Sequence, residues 1–197
     1  MSEEKPKKIV FVCTGNTCRS PMAEYLMKKA LRKVKLRGFK VCSAGVQAMK
    51  GDGMNPKSMD VLAENGIAVK NFKATRVEEK LLREGFVFIC MTERHRDFLM
   101  DMRWHAMRKS GAKDVDNNVF SFQELVGYDV PDPYGMDIDA YRRVYAMLEG
   151  GMYEIIKVLD LAGYALPTKP KATQKKTEKG DGTPKKRGRP RKNTANT

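Results

Sequence analysis

Lys8-Ile9-Val10-Phe11-Val12-Cys13-Thr14-Gly15-Asn16-Thr17-Cys18-Arg19-Ser20-Pro21-Met22-Ala23-Glu24 decides the reading of this chain. Lys8 to Val12 is a short β-branched run, as a buried strand requires. Cys13 to Ser20 is rich in small and turn-forming residues and reads as a loop. A helix follows at once. Met22, Leu26, Ala30 and Val34 recur at every fourth position, with Ala23, Met27 and Leu31 in the neighbouring row. They make one apolar stripe, and Lys28, Lys29, Arg32 and Lys33 take the wet face. Ser20 before Pro21 predicts the helix start, a capping side chain followed by proline in the first turn.

A strand, a small-residue loop and a helix start have a joint consequence. Backbone N–H groups of the loop converge on one point, and the helix N-terminus adds a positive end. The result is a cradle for a tetrahedral dianion, lined by Thr14, Gly15, Asn16, Thr17, Cys18 and Ser20. Gly15 and Asn16 tolerate the left-handed backbone that so tight a loop needs. Arg19 can grip two phosphate oxygens through its planar fork. Cys13 opens the loop, where helix ends and cations favour thiolate over thiol. Its sulfur is placed to attack phosphorus in line, giving a phosphocysteine that water later hydrolyses. The Ser20 hydroxyl could hydrogen-bond that thiolate and help it leave, a role that competes with helix capping.

The outer sequence alternates strand and helix. Phe39 to Ala44, Phe86 to Met91 and Val119 to Phe122 read as strands; Pro56 to Glu64, Glu93 to Met107 and Ile138 to Ala162 read as helices. Tyr141, Val144, Leu148, Met152, Ile155 and Leu159 form the stripe of the last helix, and Gly150-Gly151 predicts a weak point within it. This order argues for an α/β fold, a four-stranded parallel sheet with helices on both faces. A leaving group also needs a proton from outside the cradle. Asp129, Asp132, Asp137 and Asp139 lie in or near the loop Gly127 to Gly135. Asp132, stiffened between Pro131 and Pro133, is preferred over Asp129.

The 197 residues carry a net charge of +14, unevenly spread. Residues 167–197 hold 11 Lys and Arg against Glu178 and Asp181, a net of +9, so the remainder is only mildly basic. Three segments follow: a flexible N-terminus over 1–7, a phosphatase-like domain over 8–164, and a basic tail over 165–197. The tail lacks the apolar residues that would offset the entropy of ordering, and it is expected to be disordered. Within it, Lys185-Lys186-Arg187-Gly188-Arg189-Pro190-Arg191-Lys192 looks like an AT-hook, which reads A·T-rich DNA through the minor groove. Residues 185–192 could also bind other polyanions. A DNA-associated protein is therefore the reading of different class. No run approaches the roughly 20 apolar residues of a membrane helix, and nothing near the N-terminus resembles a secretory segment, so a cytoplasmic protein with no membrane partner is expected. The four cysteines are then reduced thiols, with Cys42 and Cys90 buried in strands. His95 and His105 fall on a helical surface segment outside the chemistry, and no His or Cys cluster completes a zinc site.

Val12 to Glu24 resembles the signature of the low-molecular-weight protein-tyrosine phosphatases. Ser43-Ala44-Gly45, Met91-Thr92 and Asp132-Pro133-Tyr134-Gly135 match in the family's order, so the resemblance covers roughly Lys8 to Leu161. It implies the sheet inferred above, a monomer acting on phosphorylated proteins, no metal or other cofactor, and Asp132 as the acid. Thr17 stands where tyrosine-specific members usually carry a bulky aliphatic, and so resembles the protein-arginine phosphatase branch. Its hydroxyl can accept from a guanidinium, where isoleucine offers only methyls. Tyr134-Gly135 replaces the usual aromatic pair that grips a phenyl ring and points the same way. Phosphoarginine is the expected substrate, with phosphotyrosine the alternative. Arsenate reductase of the thioredoxin-linked type shares the cradle, but its relay cysteines are missing between Thr92 and Val119. The resemblance also suggests a reversible Cys13–Cys18 disulfide that protects the nucleophile; an inert Cys18 is the competing reading.

Overall fold

Alternating side chains on the first strand divide the protein into two layers. The structure, a computed structural model, describes residues 7–111 and 118–164. Strand β1 (Lys7–Cys13) is followed by α1 (Arg19–Lys33), β2 (Phe39–Gly45), α2 (Pro56–Glu64), α3 (Glu79–Glu84), β3 (Val87–Cys90), α4 (Glu93–Lys109), β4 (Val119–Ser121), α5 (Phe122–Val126) and α6 (Ile138–Val158). Ile9, Phe11 and Cys13 face the core under α1 and α6. Val10 and Val12 face a second cluster with Phe88, Cys90, Leu82 and Leu99. Period-two alternation thus fills both faces of one strand with apolar side chains, as a sheet covered by helices on both sides demands. Ile9, Phe11, Met22, Met27 and Phe88 are fully buried, each contributing about 1.5–3 kcal/mol relative to exposure.

The strands form one parallel sheet in the order β2-β1-β3-β4. β1 pairs with β2 on one side, from Lys7 opposite Phe39 to Cys13 opposite Gly45, and with β3 on the other. The chain therefore reverses its winding direction at β1. A crevice opens beyond the carboxyl end of a strand at such a switch point, and Cys13 is that end.

Several boundaries differ from those the sequence suggests. Lys7, assigned to a flexible N-terminus, pairs in the sheet with Phe39; residues 1–6 lie outside the described residues, as does the tail over 165–197. β4 stops at Ser121, and α5 begins there with a reciprocal capping box between Ser121 and Glu124. α3 is too short to show a period and has one fully covered side chain, Leu82. α6 runs unbroken through Gly150-Gly151. Gly151 is a packing residue: a Cβ there would lie 2.7 Å from Cε1 of Phe122, so the ring needs its absence. α6 ends at Val158, before the predicted Ala162, and a 3₁₀ turn over Leu161–Tyr164 follows. Cys90 is buried and Cys42 half-buried. Among the described residues, no helix is long and apolar enough to cross a membrane.

Candidate active site

The loop after β1 is held by its carbonyls and opens with its amides. Val46 N–H donates to the Cys13 carbonyl at 3.0 Å and Gln47 N–H to the Thr14 carbonyl at 2.9 Å. In a trans peptide the N–H lies opposite the carbonyl, so the amides of Thr14 and Gly15 turn away from Val46 and Gln47, and both residues line the crevice. Gly45 makes this approach possible: a Cβ there would sit 2.5 Å from the Thr14 carbonyl oxygen and 2.8 Å from the Asn16 nitrogen. Asn16 takes the left-handed conformation, φ 55°, which lets so tight a loop turn. On the far side, Asn55 N–H donates to the Thr17 carbonyl at 2.9 Å and ties the loop to the start of α2.

A buried polar network centres on the Cys13 sulfur. Asn16 N–H donates to Sγ at 3.3 Å, and Ser20 Oγ lies 2.9 Å from it. The Asn16 side chain accepts from Thr75 N–H at 2.8 Å and donates to Ser20 Oγ at 2.9 Å. Because that oxygen already accepts from Asn16, its own proton can be directed at the sulfur; the other acceptor, the Ala44 carbonyl, is farther at 3.4 Å. Donors aimed at sulfur stabilise its charged form. The capping role expected of Ser20 is therefore replaced. α1 begins one residue earlier, at Arg19, with Cys18 in the cap position and no side-chain cap bond. Ser20 points inward, fully buried, because the sulfur is there to receive it.

Arg19 crosses from the loop to the segment that precedes α6. Its Nη1 donates to the Val130 carbonyl at 3.3 Å, and its Nη2 meets Asp132 Oδ2 at 2.7 Å. Val130 N–H in turn donates to the Met91 carbonyl at the end of β3, at 2.9 Å, which fixes the loop that carries Asp132. The competing aspartates have other partners. Asp129 accepts from Glu93 N–H, Asp137 caps α6 and Asp139 pairs with Arg142. Asp132 alone of the four lines the crevice, which has a volume of about 320 Å³. Cys13, Thr14, Gly15, Thr17, Cys18, Arg19 and Tyr134 line it too, while Asn16 and Ser20 lie buried behind. Cys18 Sγ sits 3.6 Å from the Tyr141 hydroxyl, and burial pushes its thiol up. Cys13 and Cys18 are both free thiols.

Two features escape the sequence reading. Gln47, Met49 and Asp52 complete the rim of the crevice, and nothing in their spacing announces it. His95, read above as part of a helical surface, is half-buried and reaches the loop, with Nε2 2.9 Å from Thr14 Oγ1. No group of side chains able to hold a metal ion occurs among the described residues.

Comparison with known proteins gives a consistent picture. Residues 8–164 match the family described as low molecular weight phosphotyrosine protein phosphatase. The chain is 34% identical over 154 residues to the protein-arginine-phosphatase of Bacillus subtilis, covering 77% of this chain and 95% of the relative. It is 32% identical over 143 residues to the low molecular weight protein-tyrosine-phosphatase Wzb of Salmonella typhi, covering 72% and 87%. The YwlE arginine phosphatase from Geobacillus stearothermophilus superposes with a TM-score of 0.67 at 30% identity, covering 81% of this chain and 96% of that one. A cysteine-to-serine mutant of YwlE arginine phosphatase with a phosphorylated active site serine superposes with a TM-score of 0.68 at 32% identity, covering 78% and 95%.

Proposed function

The chain belongs to the low molecular weight phosphotyrosine protein phosphatase family and is a cysteine-based phosphatase; from this premise we propose that it dephosphorylates phosphoarginine in proteins, with Cys13 as nucleophile, Arg19 as phosphate clamp and Asp132 as general acid. The observation that carries the assignment is the common crevice. A sulfur that receives hydrogen bonds, an arginine fork and a carboxylate line one cavity at the carboxyl end of β1. The similar YwlE mutant, phosphorylated on the serine that replaces its cysteine, supports attack from this position.

The chemistry follows from the placement. Amides of Thr14 and Gly15 and the Arg19 fork receive the phosphoryl oxygens and spread the charge that builds in the transition state. The Cys13 thiolate forms a bond to phosphorus as the phosphorus–nitrogen bond of phosphoarginine breaks. Asp132, protonated at that moment, gives its proton to the departing guanidine nitrogen. The same carboxylate, now charged, takes a proton from the water that attacks phosphocysteine. The sulfur leaves as thiolate, stabilised by Ser20 and the Asn16 N–H, and inorganic phosphate is released. In the free protein Asp132 Oδ2 lies 2.7 Å from Arg19 Nη2. As the substrate phosphate takes over Arg19, Asp132 leaves the pair and takes up from solvent the proton that it then gives to the leaving group.

Thr17 and Tyr134 support the choice of substrate. Thr17 lines the crevice, and its hydroxyl, 3.7 Å from Cys18 Sγ, can accept from guanidinium N–H groups, which an aliphatic side chain would leave unpaired. Tyr134, 72% exposed, is followed by Gly135 and so presents one aromatic face at the rim. Relatives named for arginine and for tyrosine are about equally similar, so the discriminating experiment is direct. Peptides carrying phosphoarginine should give a higher kcat/KM than matched phosphotyrosine peptides. A preference for phosphotyrosine would reverse the assignment.

The Arg187-Gly188-Arg189-Pro190 motif supports a separable activity, binding of A·T-rich DNA by residues 185–192. A·T-rich duplexes should compete better than G·C-rich ones at equal salt, and Arg189→Ala should erase the difference. Equal competition would reduce the tail to a polycation.

A further inference from the structure

His95 takes no part in the steps above, yet it touches the cradle. It lies in the first turn of α4, 81 residues along the chain from the loop it contacts. Its Nε2 is 2.9 Å from Thr14 Oγ1 and its Nδ1 2.7 Å from Thr92 Oγ1. Thr92 also accepts from the His95 backbone N–H, at 3.3 Å, and so caps α4. We propose that His95 is a positioning residue for the phosphate cradle: bridging the Thr92 cap and Thr14, it locks the residue after the nucleophile and thereby the direction of the loop amides. The proposal rests on the phosphatase reading of this loop.

Thr14 is anchored at two groups. Its carbonyl accepts from Gln47 N–H at 2.9 Å, and its hydroxyl meets His95. With both fixed, little torsion is left to its peptide planes, and the amides that meet phosphate stay aimed. Such donors are most useful when they need no reorganisation during the reaction. The imidazole suits the task in its neutral form, with one donor and one acceptor nitrogen between hydroxyls that can play either part. Burial, and then the nearby charge of Arg19, push its pKa down to about 4. It is therefore neutral near pH 7, and it acts through Thr14 without touching the phosphate. His95 also lines a second cleft of about 390 Å³ with Thr14, Val46, Gln47, Arg94 and Phe98. Small solutes can therefore reach the imidazole site.

The test uses the full chain, turnover of p-nitrophenyl phosphate, inhibition by inorganic phosphate, and thermal unfolding. His95→Gln places an amide nitrogen near the position of Nε2; His95→Asn reaches only as far as Nδ1. His95→Asn and His95→Ala should each lose roughly tenfold in kcat/KM, about the worth of one hydrogen bond. Phosphate inhibition should weaken in parallel. His95→Gln should recover most of both, and added imidazole should restore part of the His95→Ala loss. Thr14→Val combined with His95→Ala should cost little more than either change alone, because both break one contact. Three results would overturn the proposal: His95→Gln as impaired as His95→Asn, His95→Asn at full activity, or additive losses in the double variant. If His95→Ala does not fold, the glutamine and asparagine pair still decides. Failure of the unmodified protein to turn over would instead overturn the phosphatase reading, and calorimetric phosphate binding by the same variants would still report on the cradle.

Discussion

The floor and the rim of the crevice are built on different terms. Cys13, Asn16, Cys18, Arg19 and Ser20 on the floor are all buried, and each is held by hydrogen bonds to its neighbours or by the packed core. At the rim, the side chain of Asp132 is half-exposed, and Met49 and Tyr134 are mostly in solvent. A buried polar network is costly when any partner is missing, so a complete one holds a single geometry. An exposed rim tolerates change because water replaces what is lost. On the proposed mechanism the floor supplies the nucleophile and the phosphate clamp, which demand fixed positions, while the rim supplies the acid Asp132, held by its contact with Arg19, and through Tyr134 the choice among substrates.

Substitutions that test this division fall in a definite order of severity. Cys13→Ser should abolish turnover while inorganic phosphate still binds, because a hydroxyl stays protonated where a thiol can ionise; calorimetry beside kinetics separates the two. Arg19→Lys should lower kcat by about 10²–10³-fold, the scale of losing a directed donor to the transition state, since a point charge cannot reproduce the fork. Asp132→Asn should cost about 10²-fold on phosphoarginine and less on an activated phenyl phosphate, whose leaving group needs no proton. An equal loss on both would make Asp132 a holder of Arg19 and move it from chemistry to scaffolding. Thr17→Ile should shift the ratio of kcat/KM values towards phosphotyrosine by roughly tenfold, with kcat on p-nitrophenyl phosphate nearly unchanged. A loss at Thr17 or Tyr134 as severe as that of Arg19→Lys would erase the distinction.

The smallest effect is on stability against pH. His95 has a folded pKa near 4, below the ordinary 6.5. The unfolded chain therefore binds more protons between those values, and stability must rise with pH across that window. As pH falls from about 6.5 to about 4, this contribution is lost, and below it the dependence from His95 flattens. Arg19 on α1 and Arg94 on α4 oppose protonation and Asp132 favours it. Thermal midpoints of the unmodified protein should fall more steeply over this window than those of His95→Gln. Parallel curves would mean that His95 is as accessible to protons as in the unfolded chain.

Local order was legible from the sequence, and the residues show why. Cys13, Arg19 and the turn-forming residues between them lie within one loop, so their joint chemistry depends on spacing along the chain. The helix Pro56–Glu64 is bounded as the sequence suggests, because Asn55 caps it and Pro56 pre-sets its first turn. The helix at Phe122 could have been read as well, since Ser121 and Glu124 stand at capping-box spacing; an apolar run leading into it disguised the boundary. Ser20 shows the limit of local rules. Beside Pro21 it has the pattern of a cap, yet a thiol and an asparagine side chain nearby claim its hydroxyl. His95 on Thr14, Gly45 under the loop, Gly151 beneath the Phe122 ring and Val130 tied to Met91 join positions far apart in the chain. By itself, the sequence determined a parallel α/β sheet and a small-residue loop after its first strand with a cysteine and an arginine at its two ends. The sequence also preferred Asp132 among the four aspartates; only the tertiary structure put it in the crevice beside Arg19 and brought His95 against Thr14. Such contacts depend on how helices and strands seat against one another, and packing is a property of the whole core that no local spacing encodes.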